Sequence, residues 1–428
     1  MEIDDYRLVG LHVTDRCLEV PLDWMHPDDG RTISVFFREV CGPAQKEAQL
    51  PLLVFLQGGP GGKSPRPTSS GPGWLLDAVK KYRVILPDQR GTGRSSRITG
   101  ATMNAMKDAQ AAADYLAHFD AHAIVADLEH IRKNAYQGAC WETLGQSYGG
   151  FLTLSYLSHA PEGLVKCYIA GGLPSLSPNP DEVYQRTYAQ VAKKMRAYYA
   201  RFPQDAQKLN AIADYIQVHQ PRLPNGDVLT VRRFQSLGLM IGMGNGAERL
   251  HWLIEEAFVD ERQSALNHHF LLEVMVLTGF DENPLFAALH ENIYASPNAH
   301  GAWAAERERQ QHPEFAEDHR PLYLTGEMIY PWMFEEISVL RPFKEAVEVL
   351  AHKPLPRPFY DPARLANNSV PVAAVIYFDD MYVDVELSLQ TAEAVENLTY
   401  WLTNEFEHDG LRQDSKVFEK LQSLVQDR

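Results

Sequence analysis

The sequence predicts an α/β fold, a mostly parallel sheet with helices on both faces, divided by an inserted all-helical segment. Three observations carry this reading. Short β-rich runs alternate with helical runs over the first 173 residues, the pattern of parallel strands joined by helical crossovers. From 183 to about 350 the β-rich runs all but vanish. At 370 they return, followed by a second strand and a closing helix.

Taken in order, TISVFFREV (32–40), PLLVFLQ (51–57), YRVILPD (82–88), CWETLG (140–145) and LVKCYIAGG (164–172) read as strands. They are dense in β-branched and aromatic residues. The run 108–136 reads as one helix, and FLTLSYLSHAP (151–161) as another, ended before Pro161. PSLSPNPDE (174–182) is loop chemistry, rich in Pro, Ser and Asn. After the helical stretch, 353–369 is a Pro-dense connection. VPVAAVIYFDD (370–380) reads as a buried parallel strand, QTAEAVENL as a helix and LTYWLTNEF (398–406) as a last strand. DSKVFEKLQSLVQ closes the chain as a helix. The expected division is a core of 1–173 and 367–428 around a helical cap of 174–366. An insertion there lies over the C-terminal ends of the strands, where open α/β sheets bind ligands.

The chain has 428 residues, 45% hydrophobic and 22% charged, an ordinary globular composition. A formal net charge of −16 makes nucleic acid and anionic membranes poor partners. The opening MEIDDYRLVG lacks the basic and apolar regions of a signal peptide. No apolar run approaches the ~20 residues of a spanning helix. The four cysteines, Cys17, Cys41, Cys140 and Cys167, show no CxxC spacing. Cys140 and Cys167 lie in apolar stretches and are expected to be buried thiols. Neither a disulfide framework nor a metal site is expected, no cofactor is implied, and the cytoplasm is the expected compartment. Oligomeric state stays open, a homo-oligomer included.

GQSYGG (145–150) contains G-x-S-x-G between a strand and a helix. That context resembles the nucleophile elbow of the α/β-hydrolases, in which a sharp turn lifts a serine above the sheet. Ser147 is then the nucleophile. In that fold the acid and the histidine follow the serine along the chain. The acid belongs just past a late strand, and Asp380 is favoured there, with Asp379 and Asp384 as alternatives. Of sixteen histidines only His408 follows Asp380, which makes it the expected base. QGGPGG (57–62) follows a strand and supplies backbone amides without side chains in the way. Gly59 is the expected oxyanion donor, with Gly58 close behind, and Tyr148 the second donor.

Together QGGPGG, VILPDQRGTGRSS (84–96), GQSYGG, YFDDMYVD (377–384) and EHDGLR resemble the proline iminopeptidases, also called prolyl aminopeptidases. TGEMIYPWMF (325–334) is similar to the longer members of that family, whose cap is enlarged. The resemblance implies a serine peptidase that releases N-terminal proline from short peptides through Ser147, Asp380 and His408. It also implies cap glutamates that anchor the free amine. Glu291 in LHENIY is the first choice, Glu255 or Glu256 in HWLIEEAF the second, and Glu327 in TGEMIYPW the third. Gln57 departs from the family, many members of which have His there; the backbone donors are unaffected. Trp252, Phe258, Phe286, Tyr294, Trp303 and Trp332 could line a pyrrolidine pocket or belong to helix cores. An esterase or small-amide hydrolase would use the same triad with a different cap. A non-catalytic binding protein of this fold would lack a reactive serine.

Overall fold

A computed structural model of the protein describes residues 1–426. Its strands are β1 (Glu2–Leu8), β2 (Leu11–Pro21), β3 (Thr32–Cys41), β4 (Leu52–Leu56), β5 (Arg83–Pro87), β6 (Trp141–Gln146), β7 (Leu164–Ala170), β8 (Val372–Tyr377) and β9 (Leu398–Thr403). They form one sheet in the order β1-β2-β3-β5-β4-β6-β7-β8-β9. From β5 across to β9 neighbouring strands are parallel. β1, β2 and β3 add an antiparallel margin.

Side-chain alternation explains why both faces are covered. Val54 and Leu56 of β4, Ile169 of β7 and Ile376 of β8 pack into one core, with helices Ala121–Ala135 and Tyr148–His159. Leu53, Phe55, Tyr168 and Val375 point the other way, onto Trp74, Leu75 and the helix Lys416–Leu424. Strands apolar on both faces give the near-continuous hydrophobic runs seen in the sequence.

Three local expectations need correction. β1 and β2 were not anticipated. Their acidic residues mask the strand pattern, and the buried one, Asp15, is paired with Arg38 (2.7 Å) and Arg94 (2.6 Å). The single helix expected at 108–136 is interrupted. Asp108 caps Ala109–Leu116 and Asp120 caps Ala121–Ala135, each accepting an amide hydrogen of the first turn. Cys140 is exposed rather than buried, because β6 begins one residue later; Cys41 and Cys167 are buried and all four cysteines are free.

Between β7 and β8 the chain adds helices, the longest being Pro180–Arg201, and no sheet strand among the described residues. Ion pairs tie this segment to the rest: Lys353 to Asp114 (2.5 Å), Lys194 to Glu407 (2.5 Å), and Lys63 to Glu282.

The PDQRGTGRSS stretch after β5 is a staple. Arg90 is fully buried and holds Asp127 through two hydrogen bonds (2.7 and 2.6 Å). It also donates to the carbonyls of Leu22, His118 and Pro21. Removing the carboxylate would strand a buried guanidinium. Asp127→Ala is therefore expected to cost about 3–5 kcal/mol, read as a lowered denaturation midpoint; an unchanged midpoint would contradict this account.

Candidate active site

The site is built where the strands end. Leu56 of β4 pairs with Gly145 of β6, Gln146 with Ala170 of β7, and Ala170 with Val375 of β8. The loops leaving these strands therefore emerge side by side. β4 also sits between β5 and β6, so successive crossovers leave it in opposite directions. A crevice opens at such a switch point.

Ser147 occupies the turn between β6 and helix Tyr148–His159. Its backbone, at φ 57° and ψ −124°, is in a region non-glycine residues rarely visit. Two contacts enforce the turn. The Ser147 amide donates to the Ala170 carbonyl (2.9 Å), and the Gly150 amide donates to the Ser147 carbonyl (2.7 Å). Gly149 is required because a Cβ there would run into the carbonyl oxygen of Leu56. The helix thus lies directly against β4, and Ser147 stays partly exposed above it.

The loop 57–62 passes over the serine. A Cβ on Gly58 would lie 3.0 Å from the Ser147 Cβ. Gly59 has φ +131°, a conformation that favours glycine. Tyr148 is the first residue of its helix, so its amide lies among the N-terminal N–H groups without an intrahelical acceptor. The Gln89 side chain anchors the loop by donating to the Gln57 carbonyl (2.9 Å).

Asp380 and His408 meet above the sheet. His408 Nδ1 lies 2.7 Å from Asp380 Oδ2, and both residues are 4% exposed. The other Asp380 oxygen accepts the amides of Tyr382 (2.8 Å) and Val383 (3.1 Å). The alternative acids are engaged elsewhere: Asp379 pairs with Lys193, and Asp384 caps the helix Val385–Ala394. With Nδ1 committed to a carboxylate, Nε2 is the ring nitrogen left to exchange a proton with a substrate or serine. Ser147 and His408 border the same dipeptide. A Cβ on Gly171 would meet His408 Nδ1 at 3.3 Å, and one on Gly172 would meet the Ser147 carbonyl.

Burial by itself would drive the His408 pKa down. The charge and hydrogen bond of Asp380, joined by the charge of Glu327, outweigh it and hold the pKa above its ordinary value. Glu327 belongs to this group. Burial pushes its carboxyl up to about 7, with His408 opposing and Asp380 reinforcing the shift. Glu291 is also pushed up to about 7 by burial, against the amides of Ala305, Ala304 and Trp303. One of its oxygens accepts the Ala305 amide (3.0 Å) and the other has no partner. Tyr184 lies within the field of both glutamates, its buried hydroxyl also unpartnered.

Residues 51–268 match the family model of the alpha/beta hydrolase fold. Over 424 residues the chain is 44% identical to a proline iminopeptidase of Aeromonas sobria, covering 99% of this chain and 98% of that one. It is 34% identical to a proline iminopeptidase of Aspergillus aculeatus, covering 96% and 93%. The chain belongs to the proline iminopeptidase family.

In this proline iminopeptidase the four glutamates named from sequence separate into two pairs. Glu327 is coupled to the His408–Asp380 pair, and Glu291 and Glu327 both act on the buried Tyr184 hydroxyl. Glu255 and Glu256 are corrected. They end a surface helix, both exposed, and Glu256 borders a groove with Arg249 and Trp252 that Ser147 does not line. Of the aromatics, Tyr294 lies near Glu327 and Asp380. Trp252 is 61% exposed, Trp332 stacks on Tyr330, and Trp303 donates to Glu348. Two tyrosines were missed. The Tyr382 ring packs edge-on to His408 at 4.7 Å and was visible within YFDDMYVD. Tyr184 sits near the start of helix Pro180–Arg201 with no local signal. Among the described residues no cluster of three His, Cys, Asp or Glu could hold a metal, and no helix is long and apolar enough to cross a membrane.

The coupling of Glu327 to His408 is measurable. The His408 ring is expected to titrate above the ordinary histidine range. Glu327→Gln removes a negative charge that favours the imidazolium, so the midpoint moves to lower pH. Proton NMR of labelled histidine would read the shift; a midpoint that stays put would refute the contact.

Proposed function

We propose that this enzyme releases N-terminal proline from short peptides by serine chemistry. The observation that carries the reading is a largely buried carboxylate, Glu327, beside the His408–Asp380 pair. A carboxyl with a pKa near 7 is costly to ionise alone and readily ionises beside a cation. A free N-terminal amine supplies that cation. Glu291, with its unpartnered oxygen, is the second anchor, and Tyr184 stands in the field of both. Tyr294 and Tyr382 offer aromatic walls for the pyrrolidine ring. In this reading the segment 174–366 is a cap that closes over the strand ends and admits short chains.

The chemistry follows from the placement. With the amine held, the prolyl carbonyl lies over Ser147. His408 Nε2 takes the Ser147 proton as the oxygen attacks the carbonyl carbon. Asp380, pinned by two amides, keeps the imidazole oriented and stabilises its cation. The amides of Gly59 and Tyr148 receive the oxyanion. His408 then protonates the departing peptide nitrogen and the C–N bond breaks. Water, activated by the same histidine, hydrolyses the prolyl ester and frees Ser147. Every step draws on side chains and amides of this chain.

The test compares prolyl-β-naphthylamide with its N-acetylated form and with p-nitrophenyl acetate. Hydrolysis confined to the free-amine substrate is expected; hydrolysis of the ester alone would overturn the peptidase reading. Ser147→Ala should lower kcat by about a million-fold and abolish labelling by a fluorophosphonate. Glu327→Gln weakens a charge-assisted contact worth about 1.5–3 kcal/mol. KM for the naphthylamide should then rise by about 10- to 100-fold, read from initial rates, and an unaltered KM would remove Glu327 from the amine site.

A further inference from the structure

One cavity of the described residues does not include Ser147 in its lining. It has a volume of about 610 Å³ and lies between the core and the chain returning from the helical segment. Its inner end is formed by Pro60 of the loop 57–62 and by Tyr148, the residue after the nucleophile. Trp24, Phe119, Ile293, Leu355 and Phe359 supply apolar walls. Toward solvent stand Met25 and His26, both exposed, and the Lys353–Asp114 ion pair. The cavity is thus a channel from the surface to the two elements that flank the reacting carbonyl.

Its charged groups are nearly all spoken for. Asp23 pairs with His26 (2.9 Å) and lies 3.9 Å from Arg31 and from His118. Arg31 also holds Asp29, and Asp114 holds Lys353. Asp120, which feels the charge of Arg357, accepts the Ala123 amide as a helix cap. The guanidinium of Arg357 has no hydrogen-bond or ion-pair partner among the described residues. The Tyr148 hydroxyl, on a side chain 4% exposed, has none either. Two donors therefore face an apolar channel without an acceptor.

We infer that this channel receives the leaving part of the substrate, and that Arg357 binds its free α-carboxylate. The inference rests on the proline-releasing reading above. Residues after proline extend past Tyr148 and Pro60 along the apolar walls. A volume of this size encloses a ligand of a few residues. A guanidinium fits a carboxylate through two parallel hydrogen bonds. Short peptides that end within reach of Arg357 are then better substrates than the same peptides with a neutral terminus.

The experiment uses the full-length enzyme with Pro-Phe, Pro-Phe-amide and prolyl-β-naphthylamide. Wild type should have a kcat/KM for Pro-Phe about tenfold above that for Pro-Phe-amide, mostly through KM. Arg357→Gln should collapse this acid-to-amide ratio toward one, and Arg357→Lys should restore part of it. The ratio is internal to each protein, so a loss of folded enzyme does not change it. A wild-type ratio near one, or a ratio in Arg357→Gln equal to wild type, would overturn the inference. Failure of wild type to cleave prolyl-β-naphthylamide would instead sink the proline reading, a result separate from the ratio.

Discussion

Position 149 has no room for a side-chain atom, and the site depends on that fact. Because Gly149 lies against the Leu56 carbonyl, the helix after Ser147 is pressed onto β4. That contact fixes the distance between the serine and the loop leaving β4. It also forces the sharp turn that gives Ser147 its unusual dihedrals. The strain is local, and the surrounding parallel strands hold it: β4, β6, β7 and β8 end in register and present their loops along one edge. A rigid scaffold under a strained residue is a common way to pre-organise a reacting group.

Above that edge the electrostatics favour one kind of ligand. Two carboxylates, Asp380 and Glu327, act on a single imidazole, and a third, Glu291, shares with Glu327 the field on Tyr184. Asp380 is satisfied by His408 and two backbone amides. The two glutamates are not satisfied to the same degree, and burial holds both carboxyls near 7. Buried groups of this kind weaken a fold unless a partner arrives. A positively charged amine is such a partner. Its binding, the ionisation of the glutamates and the cationic state of His408 are consequently linked, and the protons in this pocket are shared among several groups.

Much of this could be read from the chain because local chemistry and chain order coincide. The strands carry uninterrupted apolar runs, and the elbow has its glycines. Only one histidine lies beyond Asp380, and the fold brings it against that residue. Where meaning depended on long-range contact, the sequence was silent or misleading. Glu255 and Glu256 carry an attractive pattern yet face water. Glu327 ranked last among the glutamates, yet its charge is the one that acts on His408, because the turns that bring it there have no local signature. β1 and β2 hid behind charges whose partners, such as Arg38 and Lys46, lie elsewhere in the chain. Tyr184 looks like any aromatic on a long helix.

The interruption between β7 and β8 has a further consequence, for the order in which the enzyme comes into being. Cys167 of β7 pairs with Val372 of β8 across some two hundred intervening residues. Closing so long a loop is slow compared with forming the local units on either side. During synthesis the serine, its turn and the glycine loop exist well before the segment bearing Asp380 and His408 has left the ribosome. A nascent or C-terminally clipped chain therefore carries Ser147 without the His408–Asp380 pair. The two halves of the site come together only when the last two strands dock against β7.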